Sequence, residues 1–146
     1  MSSSPTCIVI DASMALAWLF QRQQHSDSER ASRLLAACGE VPWWIPGLWH
    51  LEVSNALLVA ERRSALPRVE SDRFLARLNS LPFLTESDPL PDRTTRILDL
   101  ARDHGLSSYK ASYLELAQRL GAALASFDRP LNQAAGAIGV ALIPYP

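Results

Sequence analysis

The chain contains, close to its amino terminus, the run Cys7-Ile8-Val9-Ile10-Asp11, in which an apolar segment ends in a carboxylate. The residues that follow, 12–20, are mostly apolar and are spaced as in a short helix. Open α/β sheets keep their functional sites at the carboxyl ends of their strands. This order of residues therefore predicts a strand over 6–10, a helix over 12–20 and a functional position at Asp11.

The same alternation of short apolar runs and amphipathic segments continues along the chain. Further strands are predicted over residues 41–45, 83–86, 122–127 and 140–143. Ser, Asp, Pro and Gly residues at their ends delimit helices over residues 26–38, 46–63, 67–80, 92–104 and 107–120, with a short one from residue 128. Strands that alternate with helices indicate a mostly parallel sheet, so the predicted fold class is α/β. A chain of 146 residues has the size of one domain with its own core.

Composition argues against several classes of protein. The formal net charge is −1, which gives no support for nucleic-acid binding by bulk charge. No apolar run approaches the ~20 residues of a membrane helix. The first residues lack the basic start and apolar stretch of a signal peptide, which predicts a cytoplasmic protein. Cys7 and Cys38 lie among apolar residues, as expected of buried thiols rather than of a disulfide or a zinc site.

Two predicted helices carry a charged residue at or within the face that should pack inward. Glu52 lies at the margin of a face formed by Trp49, Val53, Ala56, Leu57 and Ala60, and it either reaches solvent or serves a site. Lys110 is the only lysine of the chain. It lies within a face formed by Tyr109, Tyr113, Leu116, Ala117 and Leu120, whereas Glu115 points elsewhere. Such a lysine either extends its ammonium to solvent or meets carboxylates.

Asp11 and Asp128 each follow a predicted strand, and each has the position of an N-cap for the helix after it. Their coincidence with Glu52 and the inward Lys110 suggests one shared pocket. Carboxylates that converge repel one another, so they persist around cations or shared protons. Oxygen ligands suit Mg²⁺ or Mn²⁺, which promote phosphodiester cleavage by activating water.

Four segments of the chain resemble the motifs of PIN-domain ribonucleases in order, spacing and chain length. They contain Asp11, Glu52, Lys110 and Asp128 in turn, and they read VIDASMALA (9–17), WHLEVSNAL (49–57), LSSYKASYLELA (106–117) and ALASFDRPL (123–131). In length and in the pattern of its motifs, the chain is similar to the VapC-type toxins of bacterial toxin–antitoxin pairs. The match covers essentially the whole chain, which implies a single PIN domain with a short, mostly parallel sheet flanked by helices.

The resemblance also implies an activity, a metal and partners. It implies cleavage of RNA by a water that Mg²⁺ or Mn²⁺ activates, with Asp11, Asp128 and Glu52 as the metal-binding carboxylates and Ser13 and Ser126 as polar neighbours. It implies a homodimer and a cognate antitoxin whose carboxyl-terminal segment lies across the toxin groove. The RNA target depends on groove shape and loops, about which the sequence gives no information.

The departure from the family pattern is Lys110, which stands where the third motif carries a metal-binding aspartate. A charged ammonium donates hydrogen bonds and cannot ligate a metal, so we expect metal affinity and hydrolysis to be severely reduced. We also expect this ammonium to take the place of the metal between Asp11 and Asp128. Two origins of the lysine fit the sequence: a natural protein that retains only partner binding, and a substitution that allows a toxic nuclease to be produced.

Two other functions stay open at this point. The first is a non-catalytic PIN-fold module that dimerises and binds an antitoxin. The second is a nucleotide-binding α/β protein, which the absence of a G-x-G-x-x-G or G-x-x-x-x-G-K sequence disfavours. Surfaces for a partner or RNA have candidates in the chain, although core packing and solvated helix faces account for most of them: Trp18, Trp43, Trp44, Trp49, Arg62, Arg63, Arg68, Arg73 and Arg77.

Overall fold

The computed structural model describes residues 4–20, 25–87 and 90–143, and every structural statement below concerns those residues. The strands are β1 (Ile8–Ile10), β2 (Trp43–Ile45), β3 (Phe83–Thr85) and β4 (Ala123–Ala125). The helices are α1 (Ala12–Leu16), α2 (His25–Ala36), α3 (Leu48–Arg62), α4 (Arg68–Asn79), α5 (Thr94–His104), α6 (Ser108–Leu120) and α7 (Arg129–Ala137), with a 3-10 turn over Leu90–Asp92.

The four strands form one parallel sheet in the order β3-β2-β1-β4. All residues of β1 and β4 are buried, as expected of strands that helices cover on both faces. Because the strands are parallel, their carboxyl ends lie at the same edge of the sheet. β1 and β4 are neighbours, so the residues that follow Ile10 and Ala125 meet at that edge.

Two groups of side chains form much of the core. The first belongs to α6, which packs against α5, α7, β1 and β4, and in which the seven residues from Ala111 to Ala117 are all buried. The second is aromatic. The Trp43 ring stacks against Trp18 and Phe83 with centroid separations of 6.3 and 5.8 Å, and Trp49 meets Phe83 edge-on at 5.4 Å. The core therefore packs around α6, which contacts both β1 and β4.

The structure confirms the α/β class with a short parallel sheet, and it corrects three predicted elements. α1 ends at Leu16, and the chain turns through 17–20, because the apolar residues there pack against the core without continuing the helix. Residues 140–143 form only an isolated bridge, from Leu142 to Leu124, so the predicted last strand is wrong. The helix predicted from residue 92 begins at Thr94, after the 3-10 turn.

Two predictions about α6 are also wrong. Tyr109 was placed on the inner face, but it is 66% exposed. Glu115 was placed away from that face, and it is buried nonetheless. Both errors have the same cause: α6 is enclosed on several sides along its middle and open at its first turn, so a single apolar face does not describe its burial.

Candidate active site at the ends of β1 and β4

Asp11 directly follows β1 and is 0% exposed. Its Oδ1 accepts hydrogen bonds from Ser13 Oγ at 2.6 Å and from the backbone N–H of Met14 at 3.1 Å, which makes it the N-cap of α1. Its Oδ2 accepts from Ser126 Oγ at 2.5 Å. Burial raises the pKa of Asp11, and the hydrogen bonds and the Lys110 ammonium oppose that rise. The carboxylate thus caps a helix and also faces the pocket.

Two serine hydroxyls connect Asp11 to the segment after β4. Ser13 Oγ accepts a hydrogen bond from the backbone N–H of Phe127 at 3.1 Å, and Ser126 Oγ accepts one from the backbone N–H of Asp128 at 2.9 Å. Since each hydroxyl also donates to Asp11, the ends of β1 and β4 are joined by two relays of hydrogen bonds. The structure thus brings both serines beside Asp11, where the sequence prediction expected polar neighbours of the site.

Asp128 is the N-cap of α7, because its Oδ1 accepts from the backbone N–H of Leu131 at 2.9 Å. Its other oxygen, Oδ2, faces Lys110. The carbonyl of Ser126 accepts a hydrogen bond from Asn132 Nδ2 at 2.9 Å, a contact that the sequence analysis missed. The capping role and the pocket role, which the sequence offered as alternatives, are both filled by the two oxygens of one carboxylate.

Lys110 lies in the first turn of α6, where Ser107 Oγ caps the helix by accepting from the Lys110 backbone N–H at 3.1 Å. Its Nζ is 3.8 Å from Asp11 Oδ2 and 3.6 Å from Asp128 Oδ2. The side chain is 27% exposed. The ammonium therefore lies between the two strand-end carboxylates, as we expected, and does not simply extend to solvent.

Glu52 is half-buried on α3, and it accepts a hydrogen bond from the Tyr113 hydroxyl, which lies 2.6 Å from Glu52 Oε1. Tyr113 is fully buried on α6. Burial, the hydrogen bond to Glu52 and the charge of that carboxylate raise the pKa of Tyr113, so the hydroxyl stays protonated. Sequence reasoning counted Tyr113 only as core; its spacing three residues after Lys110 was the available signal.

The side chains around this pocket do not fit a divalent cation. Both oxygens of Asp11 accept hydrogen bonds, and the Lys110 ammonium lies between Asp11 and Asp128. One oxygen of Glu52 is bound by Tyr113. Within the described ranges, no group of three or more His, Cys, Asp or Glu side chains gathers as a metal site. The donor set suits a tethered ammonium rather than the metal that the family resemblance implies.

A second group of charges lies further along α6 and was not predicted. Arg119 Nε donates to Glu115 Oε1 at 2.8 Å, and Arg119 Nη2 donates to Glu86 Oε2 at 2.8 Å. Arg93 Nη1 is 3.6 Å from Glu115 Oε2. The carboxylates of Glu115 and Glu86 are only 5% and 6% exposed, and both raise the pKa of Arg119. This buried cluster connects the end of β3 and the start of α5 to α6.

The remaining candidates of the sequence analysis lie elsewhere. Trp43 and Trp49 are buried in the core, and Trp18 and Trp44 are half-buried against it. Cys7 and Cys38 are free thiols and only half-buried.

Of the helices described, none combines the length and apolarity needed to cross a membrane. The five arginines proposed for a groove are all exposed, and two of them pair with carboxylates on their own helix: Arg62, Arg63, Arg68, Arg73 and Arg77.

Comparisons with known proteins identify the family of the chain. Residues 8–137 match the PIN domain family. Ribonuclease VapC3 of Pyrobaculum aerophilum is 31% identical over 130 residues, which cover 86% of this chain and 92% of the relative.

Solved structures of other proteins share the fold, among them the following two. VapC20 of Mycobacterium tuberculosis, a toxin that cleaves the sarcin–ricin loop, has a TM-score of 0.63 at 18% identity and covers 87% of this chain, with 94% of its own chain covered. A toxin–antitoxin complex from Klebsiella pneumoniae has a TM-score of 0.53 at 19% identity and covers 83% of this chain, with 86% of its own chain covered. The chain therefore belongs to the PIN-domain family and is a VapC-type member of it.

Proposed function

We propose that the chain is the toxin of a toxin–antitoxin pair and that its fold serves the hydrolysis of RNA phosphodiester bonds. The relative of 31% identity is a ribonuclease, and a protein of similar fold is a toxin that cleaves the sarcin–ricin loop. The observation that carries the proposal is the meeting of Asp11 and Asp128 at the ends of two adjacent parallel strands. Such an edge is where α/β folds place their chemistry.

We assign the catalytic pocket to Asp11, Glu52, Asp128 and position 110. With an aspartate at position 110, the pocket would present four carboxylates, a set that suits Mg²⁺ or Mn²⁺, and such an ion supplies activated water and neutralises charge. Metal dependence is thus proposed for that form. With Lys110 in place, the side chains do not fit the ion, as their geometry indicates.

We further propose that Lys110 impairs cleavage in this chain. The ammonium offers donors where a bound cation needs acceptors, and it changes the charge of position 110 from −1 to +1. It also uses the facing oxygens of Asp11 and Asp128 in ion pairs. The alternative function, a non-catalytic module that binds an antitoxin, draws its support from this same lysine, because partner binding does not require a working pocket.

The proposed partners are an RNA substrate, a cognate antitoxin and a second copy of the chain, all in the cytoplasm. The complex of similar fold from Klebsiella pneumoniae supports the antitoxin. The surface also offers apolar side chains to a protein partner: Leu51 and Leu58 are exposed on α3, and Val69 is exposed on α4. Exposed apolar surface of this kind is available to a protein partner.

The test is cleavage of a labelled RNA by three proteins: the native chain, Lys110→Asp, and Lys110→Asp combined with Asp11→Asn. We expect Lys110→Asp to cleave with Mn²⁺ and not with EDTA, and the native chain to be slower by ~100-fold or more, or ~2.7 kcal/mol in the barrier. The double variant is the matched control and should be inactive. If Lys110→Asp is folded and binds Mn²⁺ but leaves RNA intact, the non-catalytic module is the better description.

A further inference from the structure

We infer that the Lys110 ammonium is the resident cation of the pocket, and that it competes with divalent metal ions for one position between Asp11 and Asp128. This deepens the proposed function, on which it rests for the identity of the pocket. The inference has two consequences that do not follow from impaired RNA cleavage alone. The folded state of this chain is independent of divalent metal, and removal of the Lys110 side chain creates a metal site.

The charges that face the pocket favour a cation between Asp11 and Asp128. Asp11 is 0% exposed, and its serine and backbone donors are neutral. Asp128 faces the same space from the adjacent strand end. Two carboxylates in such proximity repel one another unless a cation or a proton lies between them. Lys110 provides the ion pairs that the structure shows at both carboxylates.

The distances indicate a shared position rather than a pair with one partner. A direct charged N–H···O⁻ hydrogen bond is ~2.7–2.9 Å long. Nζ is 3.8 Å from Asp11 Oδ2 and 3.6 Å from Asp128 Oδ2, so it stands almost equally far from both. An Mg²⁺ ion would lie at ~2.0–2.1 Å from the same oxygens. The ammonium and the ion would then be close neighbours of like charge, and both cannot be held at once.

The helix that carries Lys110 makes this cation a permanent one. Ser107 caps α6 at the backbone of Lys110, and the seven residues after Lys110 are all buried. The lysine stem therefore starts from a fixed point. A group that is tethered beside its binding position has a high effective concentration, against which a free ion must compete.

Thermal unfolding and calorimetric titration with MnCl₂ test the inference, using the native chain, Lys110→Ala and Arg73→Ala. The native melting temperature should not change with Mn²⁺ or with EDTA. Lys110→Ala should melt lower without metal and rise saturably with Mn²⁺, with an affinity at least ~10-fold above that of the native chain. Arg73 pairs with Glu70 on the exposed face of α4, so Arg73→Ala is the matched control and should gain no response to Mn²⁺.

Propylammonium chloride provides a second probe, because this ion reproduces the end of the missing side chain. It should raise the melting temperature of Lys110→Ala and leave that of the native chain unchanged. Lys110→Ala combined with Asp11→Asn should lose the response to both propylammonium and Mn²⁺. A folded Lys110→Ala that responds to neither cation would overturn the inference.

The native chain allows a test that needs no variant. Lys110 is the only lysine, so reductive ¹³C-methylation, which keeps the positive charge, labels it and the amino terminus alone. We expect the Lys110 methyl resonance to stay sharp as paramagnetic Mn²⁺ is added. Broadening of this resonance at Mn²⁺ concentrations that leave the amino-terminal resonance sharp would overturn the inference. Because none of these measurements uses RNA, failure of Lys110→Asp to cleave RNA would count against the proposed function and leave this inference intact.

Discussion

α6 carries a cluster of charges near each end, and the two clusters are built differently. At its first turn, Lys110 faces Asp11 and Asp128 at 3.6 to 3.8 Å, with Glu52 nearby through Tyr113. Further along, Glu115 and Glu86 meet Arg119 at 2.8 Å, and Arg93 adds a second guanidinium. The first cluster sets three carboxylates against one ammonium, whereas the second sets two carboxylates against two guanidiniums.

This difference distinguishes a functional site from a structural cluster. The first cluster is the site, and the second cluster, which stabilises the fold, is the brace. In the second cluster, the described contacts join carboxylates to guanidiniums, and the short contacts of Arg119 use the directed donors of its guanidinium. Groups arranged in this way resist exchange with water or ions. The first cluster has excess negative charge, longer contacts and partial exposure, so its ion pairs are more open to solvent. Unbalanced, partly buried charges are typical of functional sites.

The largest effect on stability should come from the brace. Glu115→Gln would leave Arg119 and Arg93 near a neutral group, and breaking a buried ion pair costs ~3 kcal/mol or more. We expect a loss of that size in the free energy of unfolding in urea. Glu70→Gln removes an exposed pair with Arg73 and should cost at most ~0.5 kcal/mol. Equal losses in the two variants would show that the buried cluster is not a brace.

A smaller loss of stability is expected at Tyr113, which connects α6 to Glu52 of the first cluster. Tyr113→Phe removes the hydroxyl that donates to Glu52, and hydrogen bonds to charged groups contribute ~1.5–3 kcal/mol. Urea unfolding at neutral pH should therefore show a loss of ~2 kcal/mol. Tyr109→Phe is the matched control, because Tyr109 is largely exposed, and it should leave stability unchanged.

The same pair of tyrosine variants has a pH dependence whose sign follows from the raised pKa of Tyr113. A raised pKa means that the stabilising hydroxyl is fully effective below the unfolded value of ~10 and loses its effect as pH rises from there toward the folded value. The advantage of the native chain over Tyr113→Phe should therefore shrink above pH ~10, by ~1.4 kcal/mol per pH unit at most. If the stability difference between the native chain and Tyr113→Phe grows over this range, the protonated Tyr113 hydroxyl is not the stabilising group.

The smallest effect on stability should come from removal of the Lys110 ammonium. Lys110→Met keeps much of the stem and removes the charge, and the lysine pairs are partly exposed and long. We expect a loss of ~1 kcal/mol or less in urea unfolding, reduced further in high salt. A loss as large as that of Glu115→Gln would mean that the pocket is a second brace, and the comparison between the clusters would fail.

Local sequence patterns predicted several structural features of this molecule. The first strand and the capping of helices by Asp11 and Asp128 followed from residues next to one another in the chain, whereas the meeting of Lys110 with those carboxylates followed from the resemblance to PIN-domain motifs. The failures were of another kind. Apolar content at 17–20 and 140–143 did not distinguish a helix or strand from a turn that packs on the core.

The sequence alone determined the α/β class, the resemblance to PIN-domain proteins and the presence of a lysine where the third motif carries an aspartate, because strand ends, caps and motifs are local. Only the tertiary structure decided that β4 lies beside β1, that Tyr113 holds Glu52 and that Arg119 reaches Glu86. The last two contacts join residues 61 and 33 positions apart. Such contacts depend on which distant faces pack together, and the periodicity of one segment carries no information about its partner.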